Sequence, residues 1–468
     1  MFRLARNEVT VRRERWLVIA TLALLQIHAV VAASYVLGRD GGRAPAPIAS
    51  PRPTPLVTAG PVLAAADDKA HLPAKGTLAA KLTSVMGTPG LGPSVAGIVM
   101  DARTGAVLFD GRSGKPMTPA STTKMVTAAA VLATVGPDAR LVTKVVRDPA
   151  KNAIVLVGGG DPTLAGPGAG RRTGDAYPKP ATLAQLAART AAALKAANIR
   201  SVTLSYDASV FSGPATAPGW LPNYFTEGSV ALISGLTMDE GRAEDGSLLP
   251  DPPRATATAF AGLLEKQGIK VAENIRPGRA AGGMAEIARV ESPPVYALVE
   301  RMLTLSDNVL AEALARHVAI KEGQPPTFTG AAKAIRAVLT RLKAEQGIEL
   351  SDGSGLSRRN RITPAALARL LAIAVNQGDG SLHSLISGLP VAGFTGTLHD
   401  RYHRPRSAPG AGLVRAKTGT LNGVNTLAGI TSTSSGRVLT FAFMADQVAD
   451  PERAIAALDE MATIVSQS

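Results

Sequence analysis

"PASTTKMVTAAAVLATVG", residues 119–136, decides how the rest of the chain is read. A hydroxyl residue ahead of an alanine-rich apolar run marks a helix start, and the third residue inward is then favoured to be Glu or Gln, which complements the positive end of the helix dipole. Here that residue is Lys124. Ser121 and Lys124, three apart, project from one helix face as neighbours, with the hydroxyl at the positive end of the dipole and the amine within its reach. A neutral amine in that place can take the hydroxyl proton. Free lysine titrates near 10.4, so half-deprotonation at pH 7 requires a depression of about 3.4 units, or roughly 4.6 kcal/mol. Burial, the helix N-terminus and a second nearby cation all push that way. The same four residues also describe a capped helix with an exposed lysine. No other serine in the chain has a lysine three residues on.

Two distant stretches supply what such a pair would need. "RAKTGTLNG", residues 415–423, places Lys417, Thr418, Gly419 and Thr420 at the head of the first strand of a terminal hairpin. Read structurally, it is a turn with a flanking charge. Read chemically, a strand edge with glycine beside the nucleophile lets substrate backbone pair with it, and the threonine hydroxyls and ammonium hold a carboxylate. "LTLSDNVLAEALARH", residues 303–317, contains Ser306, Asp307 and Asn308 ahead of a helix with apolar residues at Val309, Leu310 and Leu314. That pattern is an N-cap. It also offers a hydroxyl that shuttles a proton and an amide that steadies the lysine.

Composition narrows the chemistry. The absence of cysteine removes thiol nucleophiles, disulfides, Cys-based zinc sites and a lipid-modified cysteine. None of the six histidines lies in an H-E-x-x-H pattern, and the helix-spaced pair His399 and His403 sits in a Pro/Arg-flanked loop, so neither a metal nor another cofactor is expected. The formal charge of +14 comes from scattered Lys and Arg, and aromatics are only 4%, which argues against a nucleic-acid surface. A polyanionic cell wall or membrane surface suits the same charge.

At 468 residues the chain exceeds one ordinary core, so two domains or one domain with a large insertion is expected. Residues 1–15 form a basic segment of cytoplasmic character, and 16–38, "WLVIATLALLQIHAVVAASYVLG", are long and apolar enough to cross a bilayer. "VAAS" at 31–34 suits a signal peptidase, so this run is a transmembrane anchor or a signal sequence. Residues 39–77, rich in Pro, Ala and Gly, read as a semi-extended linker. Residues 94–117 read as two strands around "DARTG", and 425–446 as two strands joined at "SSGR" before a helix from Pro451 to about Ile464. First and last segments thus contribute neighbouring strands to a sheet with helices packed on it. Residues 140–289 have the character of an inserted mixed α/β domain, leaving 78–139 and 290–468 as two parts of one split domain.

S-x-x-K, S-D-N and K-T-G in that order form the set shared by penicillin-binding proteins and class A β-lactamases. The sequence resembles the D-alanyl-D-alanine carboxypeptidase/endopeptidase group, the class C low-molecular-mass penicillin-binding proteins of peptidase family S13. The likeness runs from about residue 78 onward and includes "GGGDPTL" (158–164), "YDASVFSGPATAPGW" (206–220), "DGSGLSRRNRITP" (352–364) and "LPVAGFTGTLHDR" (389–401). The resemblance implies an α/β transpeptidase-like domain of the serine β-lactamase/DD-peptidase type, an antiparallel sheet with helices on both faces, split by the insertion. It implies Ser121 as nucleophile, Lys124 as base, Ser306 as relay, Asn308 as positioning group, and Lys417, Thr418, Gly419 and Thr420 on the carboxylate side. The oxyanion hole would be the N–H groups of Ser121 and Thr420. The implied partners are peptidoglycan peptide stems and β-lactam antibiotics as covalent inhibitors, with a membrane through the N-terminal helix. Thr395 stands where relatives often carry an acidic residue, and the insertion is shorter than in members with two accessory domains. A β-lactamase would carry E-x-x-L-N, which does not occur. A silent wall-binding scaffold is the other alternative, against which every nucleophile, base and relay position is intact.

Overall fold

The computed structural model describes Asp67, residues 69–168 and residues 177–468. The basic segment 1–15, the apolar run 16–38 and most of the 39–77 linker lie outside the described residues. No helix among the described residues is long and apolar enough to cross a membrane. Helix α1 (Lys75–Met86) precedes strands β1 (Ser94–Asp101) and β2 (Val107–Gly111), and a 3-10 turn at Ala120–Thr122 runs into α2 (Thr123–Thr134). Then come β3 (Val142–Asp148), β4 (Ala153–Val157), α3 (Leu183–Ala196), β5 (Ser201–Asp207), the short α4 (Asn223–Thr226), α5 (Pro252–Lys266), β6 (Lys270–Val271), β7 (Arg276–Pro277) and β8 (Ala285–Glu291). Helices α6 (Val295–Leu305), α7 (Asn308–Lys321) and α8 (Phe328–Arg341) lead through β9 (Ile348–Glu349) and β10 (Arg361–Ile362) to α9 (Pro364–Asn376) and α10 (His383–Ser387). The chain closes with β11 (Val414–Leu421), β12 (Val424–Ser432), β13 (Val438–Asp446) and α11 (Pro451–Ser466).

Five antiparallel strands in the order β11-β12-β13-β1-β2 form the main sheet. Every residue of β1 is buried, because the strand is central and both of its faces are covered. Its side chains alternate accordingly. Ala96, Ile98 and Met100 pack into the core built by α2 and α6–α10, while Val95 and Val99 face α1 and α11. On β13, Phe441 and Phe443 share the second face and stack with centroids 5.3 Å apart. The first and last strands of the folded chain are neighbours, since β1 pairs with β13 from Ser94↔Asp446 to Asp101↔Leu439.

A second sheet, in the order β6-β5-β4-β3-β8, is built from strands between Val142 and Glu291. It is mixed: β3 is antiparallel to β4 and β8, whereas β4, β5 and β6 are parallel. Parallel neighbours need a crossover, which α3 and α5 supply while burying Leu186, Leu194, Phe260 and Leu264 against the sheet. Helix α3 starts with a capping box formed by Thr182 and Gln185. The chain between β5 and α5 does not stay with this sheet. Phe211, Tyr224, Val230 and Ile233 pack on Val309, Ala313 and Phe328, so this stretch covers α7 and walls the cleft described below.

Three local expectations change. The K-T-G residues do not head the first strand of a terminal hairpin; they lie within a separate strand, β11, joined to β12 at Asn422-Gly423. Ser121 is not the cap of the helix: it sits in the preceding 3-10 turn, and Thr122, at the N-cap, makes no side-chain cap bond. Helix α1 starts at Lys75, slightly before Leu78, and α11 runs on to Ser466.

Candidate active site

Ten successive residues of α2, Thr123 to Leu132, are buried. A helix apolar on all sides belongs inside a core, and that is where this one lies. Lys124 is therefore 0% exposed, its ammonium withdrawn from bulk water. Its Nζ donates to Ser121 Oγ (3.1 Å), Asn308 Oδ1 (2.6 Å) and the Ser354 carbonyl (2.7 Å). Burial pushes its pKa from 10.5 down to about 8, against the opposing pull of Asp352, Glu312 and Asp307. The depression anticipated from the sequence is thus largely supplied by desolvation, with the neighbouring carboxylates limiting it. The turn that carries Ser121 is held from both ends: Thr122 Oγ1 donates to Pro119 O (2.6 Å) and Thr123 Oγ1 to Ala120 O (2.9 Å), with Ala120 at φ 48°.

The S-D-N residues join two helices. Ser306 ends α6 in the left-handed conformation (φ 59°), which turns the chain sharply, and Asp307 then caps α7 by accepting from Leu310 N–H at 3.0 Å. Asp307 is therefore the cap, and its flanking residues are free to face the cleft. Asn308 offers Oδ1 to Lys124 and donates from Nδ2 to the Ser229 carbonyl (2.8 Å), which ties the α7 start to the stretch after β5. Burial pushes Asp307 up to about 7, with Glu240 adding and Arg301, 3.7 Å away, opposing.

On β11, Lys417 is 0% exposed, and its Nζ donates to Ser306 Oγ (2.9 Å) and Thr418 O (2.8 Å). Burial holds it well below the usual lysine value, with Lys124 and Arg401 adding like-charge repulsion. The glycine between the threonines has a steric reason. A Cβ on Gly419 would stand 2.2 Å from Thr426 Oγ1 and 2.7 Å from Pro119 O, so only glycine lets β11 lie against the turn that carries Ser121. Thr426 Oγ1 itself pins that turn by donating to Pro119 O (2.9 Å). Ser121, Asn308 and Thr420 open into a cleft of about 420 Å³ whose far wall includes Tyr224, Glu227 and Arg358. The three distant motifs therefore meet, with Lys124 touching Ser121 and Asn308, and Lys417 touching Ser306.

The family model described as D-Ala-D-Ala carboxypeptidase 3 (S13) matches residues 78–246 and 249–467. The chain belongs to the D-Ala-D-Ala carboxypeptidase 3 (S13) family. It is 36% identical to the carboxypeptidase DacB of Mycolicibacterium smegmatis over 97% of each chain. It is 37% identical to a carboxypeptidase of Mycobacterium tuberculosis over 91% of this chain and 90% of that one. Penicillin binding protein 4 from Haemophilus influenzae has a similar fold, with a TM-score of 0.68 at 20% identity over 85% of this chain and 100% of that one. The α/β fold with an antiparallel sheet and packed helices is thus one this S13 chain shares with a solved penicillin-binding protein.

Several residues of the cleft escaped the sequence. Ser354, in the quoted "DGSGLSRRNRITP", reaches Lys124 through a backbone carbonyl, which no side-chain pattern reveals. Thr397 accepts from Thr418 Oγ1 (2.8 Å), whereas Thr395, singled out from the sequence, accepts from the Val391 N–H (2.8 Å) and closes its own loop. Ser229 holds Asn308 from a stretch with no motif. His399, at the loop with His403, has its Nδ1 2.9 Å from the Phe394 carbonyl.

Proposed function

We propose that Ser121 is the nucleophile of this S13 peptidase and Lys124 its base. The reaction class follows from family membership: the protein is a serine DD-peptidase that hydrolyses D-Ala-D-Ala in peptidoglycan. The observation that carries the residue assignment is the 3.1 Å bond between Ser121 Oγ and the amine of a lysine that is 0% exposed. A deprotonated Lys124 takes the Ser121 proton as Oγ attacks the carbonyl carbon of the penultimate D-alanine. The N–H groups of Ser121 and Thr420 face the oxygen on which charge develops. Ser306, bonded to Lys417, gives its hydroxyl proton to the leaving amine and takes in exchange the proton that Lys124 received from Ser121, and Asn308 keeps Lys124 aimed. The terminal carboxylate of the stem sits by Lys417, Thr418 and Thr420, and its charge favours the ammonium form of Lys417 while Lys124 stays neutral. Water then attacks the acyl-enzyme by the same groups in reverse. A penicillin, whose strained amide replaces the D-Ala-D-Ala bond, acylates the same oxygen.

The same proposal extends to organisation. Residues 78–139 and 290–468 form a transpeptidase-like domain split by an accessory domain, 140–289, which the second sheet supports. The apolar run at 16–38 carries the protein to the outer face of the membrane as an anchor or signal, and 39–77 hold it away from the bilayer. The test is covalent labelling with a fluorescent penicillin. Wild type is expected to label and Ser121→Ala to remain folded without labelling. Labelling of that variant would refute the assignment. Incubation with monomeric and crosslinked peptidoglycan fragments, followed by mass analysis, separates carboxypeptidase from endopeptidase action.

A further inference from the structure

Behind Lys124 lies buried charge that the acyl-transfer steps above do not use. Glu312, one turn beyond Asn308 on α7, is 1% exposed. Its Oε1 accepts from the Ser354 N–H (2.8 Å), and the Gly353 N–H lies 3.1 and 3.0 Å from its two oxygens. The carbonyls of those same two residues face the nucleophile helix: Ser354 O accepts from Lys124 Nζ (2.7 Å) and Gly353 O from Thr127 Oγ1 (2.7 Å). Asp352 closes the loop from the other side, accepting from the N–H groups of Gly355 (2.9 Å) and Ser357 (2.6 Å), from Asn360 Nδ2 (2.6 Å) and from Trp220 Nε1 (2.8 Å). Asn308 and Glu312 are four residues apart and share a helix face. One face of α7 thus fixes two acceptors of the Lys124 amine, one directly and one through the loop.

We propose that Glu312 is a positioning residue for Lys124, which holds the Ser354 carbonyl against Nζ and sets, by its buried charge one peptide group away, how readily that amine releases its proton. The inference rests on Lys124 being the base for Ser121. Glu312 faces Asp352 from the loop, Lys124 from α2, and Arg316 one turn further along α7, whose guanidinium donates to the carbonyls of Ser212, Pro214 and Pro326. Lys124 in turn faces Asp352, Glu312 and Asp307, with Lys417 across the site. Burial pushes Glu312 up to about 7, with Asp352 adding, so the carboxylate is charged over the range in which Lys124 deprotonates. Removing that charge removes an interaction favouring the ammonium.

The test is the rate of fluorescent-penicillin acylation of the full chain as a function of pH, for wild type, Glu312→Gln and Glu312→Asp. The Gln variant is expected to move the acid limb down by roughly one to two pH units, the effect of one charge several Å away at an effective dielectric of about 20. The Asp variant keeps the charge but shortens the arm. It is expected to leave the midpoint in place and lower the plateau several-fold. An acid limb of Glu312→Gln that coincides with wild type overturns the proposal, as does a midpoint in Glu312→Asp that moves as far as in Glu312→Gln. Should the Gln variant not fold, Glu312→Asp decides alone, since a purely structural role gives it no reason to keep the wild-type midpoint while losing rate. An unshifted Gln variant in a protein whose labelling still needs Lys124 refutes only the role of Glu312. Wild type that fails to label refutes the base assignment as well.

Discussion

The pH dependence of acylation follows most directly from the burial of Lys124. With its pKa lowered to about 8, the neutral amine makes up about 90% at pH 9, about 9% at pH 7 and about 1% at pH 6. A lysine left at 10.5 would be neutral in only about 0.03% of molecules at pH 7, so burial raises the competent fraction some 300-fold, the equivalent of about 3 kcal/mol. Because this pKa is depressed in the fold, the protonated form is disfavoured there, and activity is lost as pH falls through 8. Acylation by a fluorescent penicillin, followed in single turnover, is therefore expected to rise by at most about 90-fold from pH 6 to pH 9. Below pH 7 the limb should be shallower than one log unit per pH unit, because Glu312 and Asp307, both pushed up to about 7, lose the charge that opposes deprotonation of Lys124. A rate that stays flat between pH 6 and pH 9, with chemistry shown to be limiting, would refute the assignment of Lys124 as the titrating base.

Ser306→Ala, which removes the hydroxyl bonded 2.9 Å from Lys417 Nζ, is expected to slow acylation about 10²–10⁴-fold with the melting transition largely preserved, as read by labelling rate and thermal unfolding. Gly355→Ala combines a φ of +90° with a Cβ placed 1.9 Å from the Ala120 carbonyl, so it is expected to lose about 2–4 kcal/mol in urea unfolding and to label slowly even when folded, since the turn carrying Ser121 must shift. Arg437→Met leaves Asp101, 0% exposed, without its main cation (Nη2 to Oδ1, 2.9 Å), and is expected to cost about 3–5 kcal/mol of stability while labelling below the transition proceeds as in wild type. A stability change under 1 kcal/mol in that variant would show the pair to be dispensable.

The motif residues were legible because their chemistry is carried by side-chain type and short spacing. Ser121 and Lys124 need only one helical turn to become neighbours, and a lysine in an alanine-rich first turn conflicts with the dipole in a way visible from the letters alone. The pairing of β1 with β13 was legible too, since alternating apolar runs at both ends of the folded chain demand a common sheet. K-T-G was misplaced within the hairpin because three strands and two turns fit the same polar and apolar alternation as two longer strands.

By itself the sequence determined which groups are available: one serine with a lysine three residues on, no thiol, and an S-D-N and a K-T-G far downstream. Tertiary structure alone decided that Lys124 is buried, and so how far its proton affinity falls, because desolvation depends on what packs around a group and not on its neighbours in sequence. It also decided that Ser354 and Ser229 hold the site through backbone carbonyls, a contact any residue can make and that leaves no mark in side-chain identity. Glu312 belongs to the same class: in the sequence it is one acidic residue in a helix, and only the close approach of the 352–357 loop turns it toward Lys124.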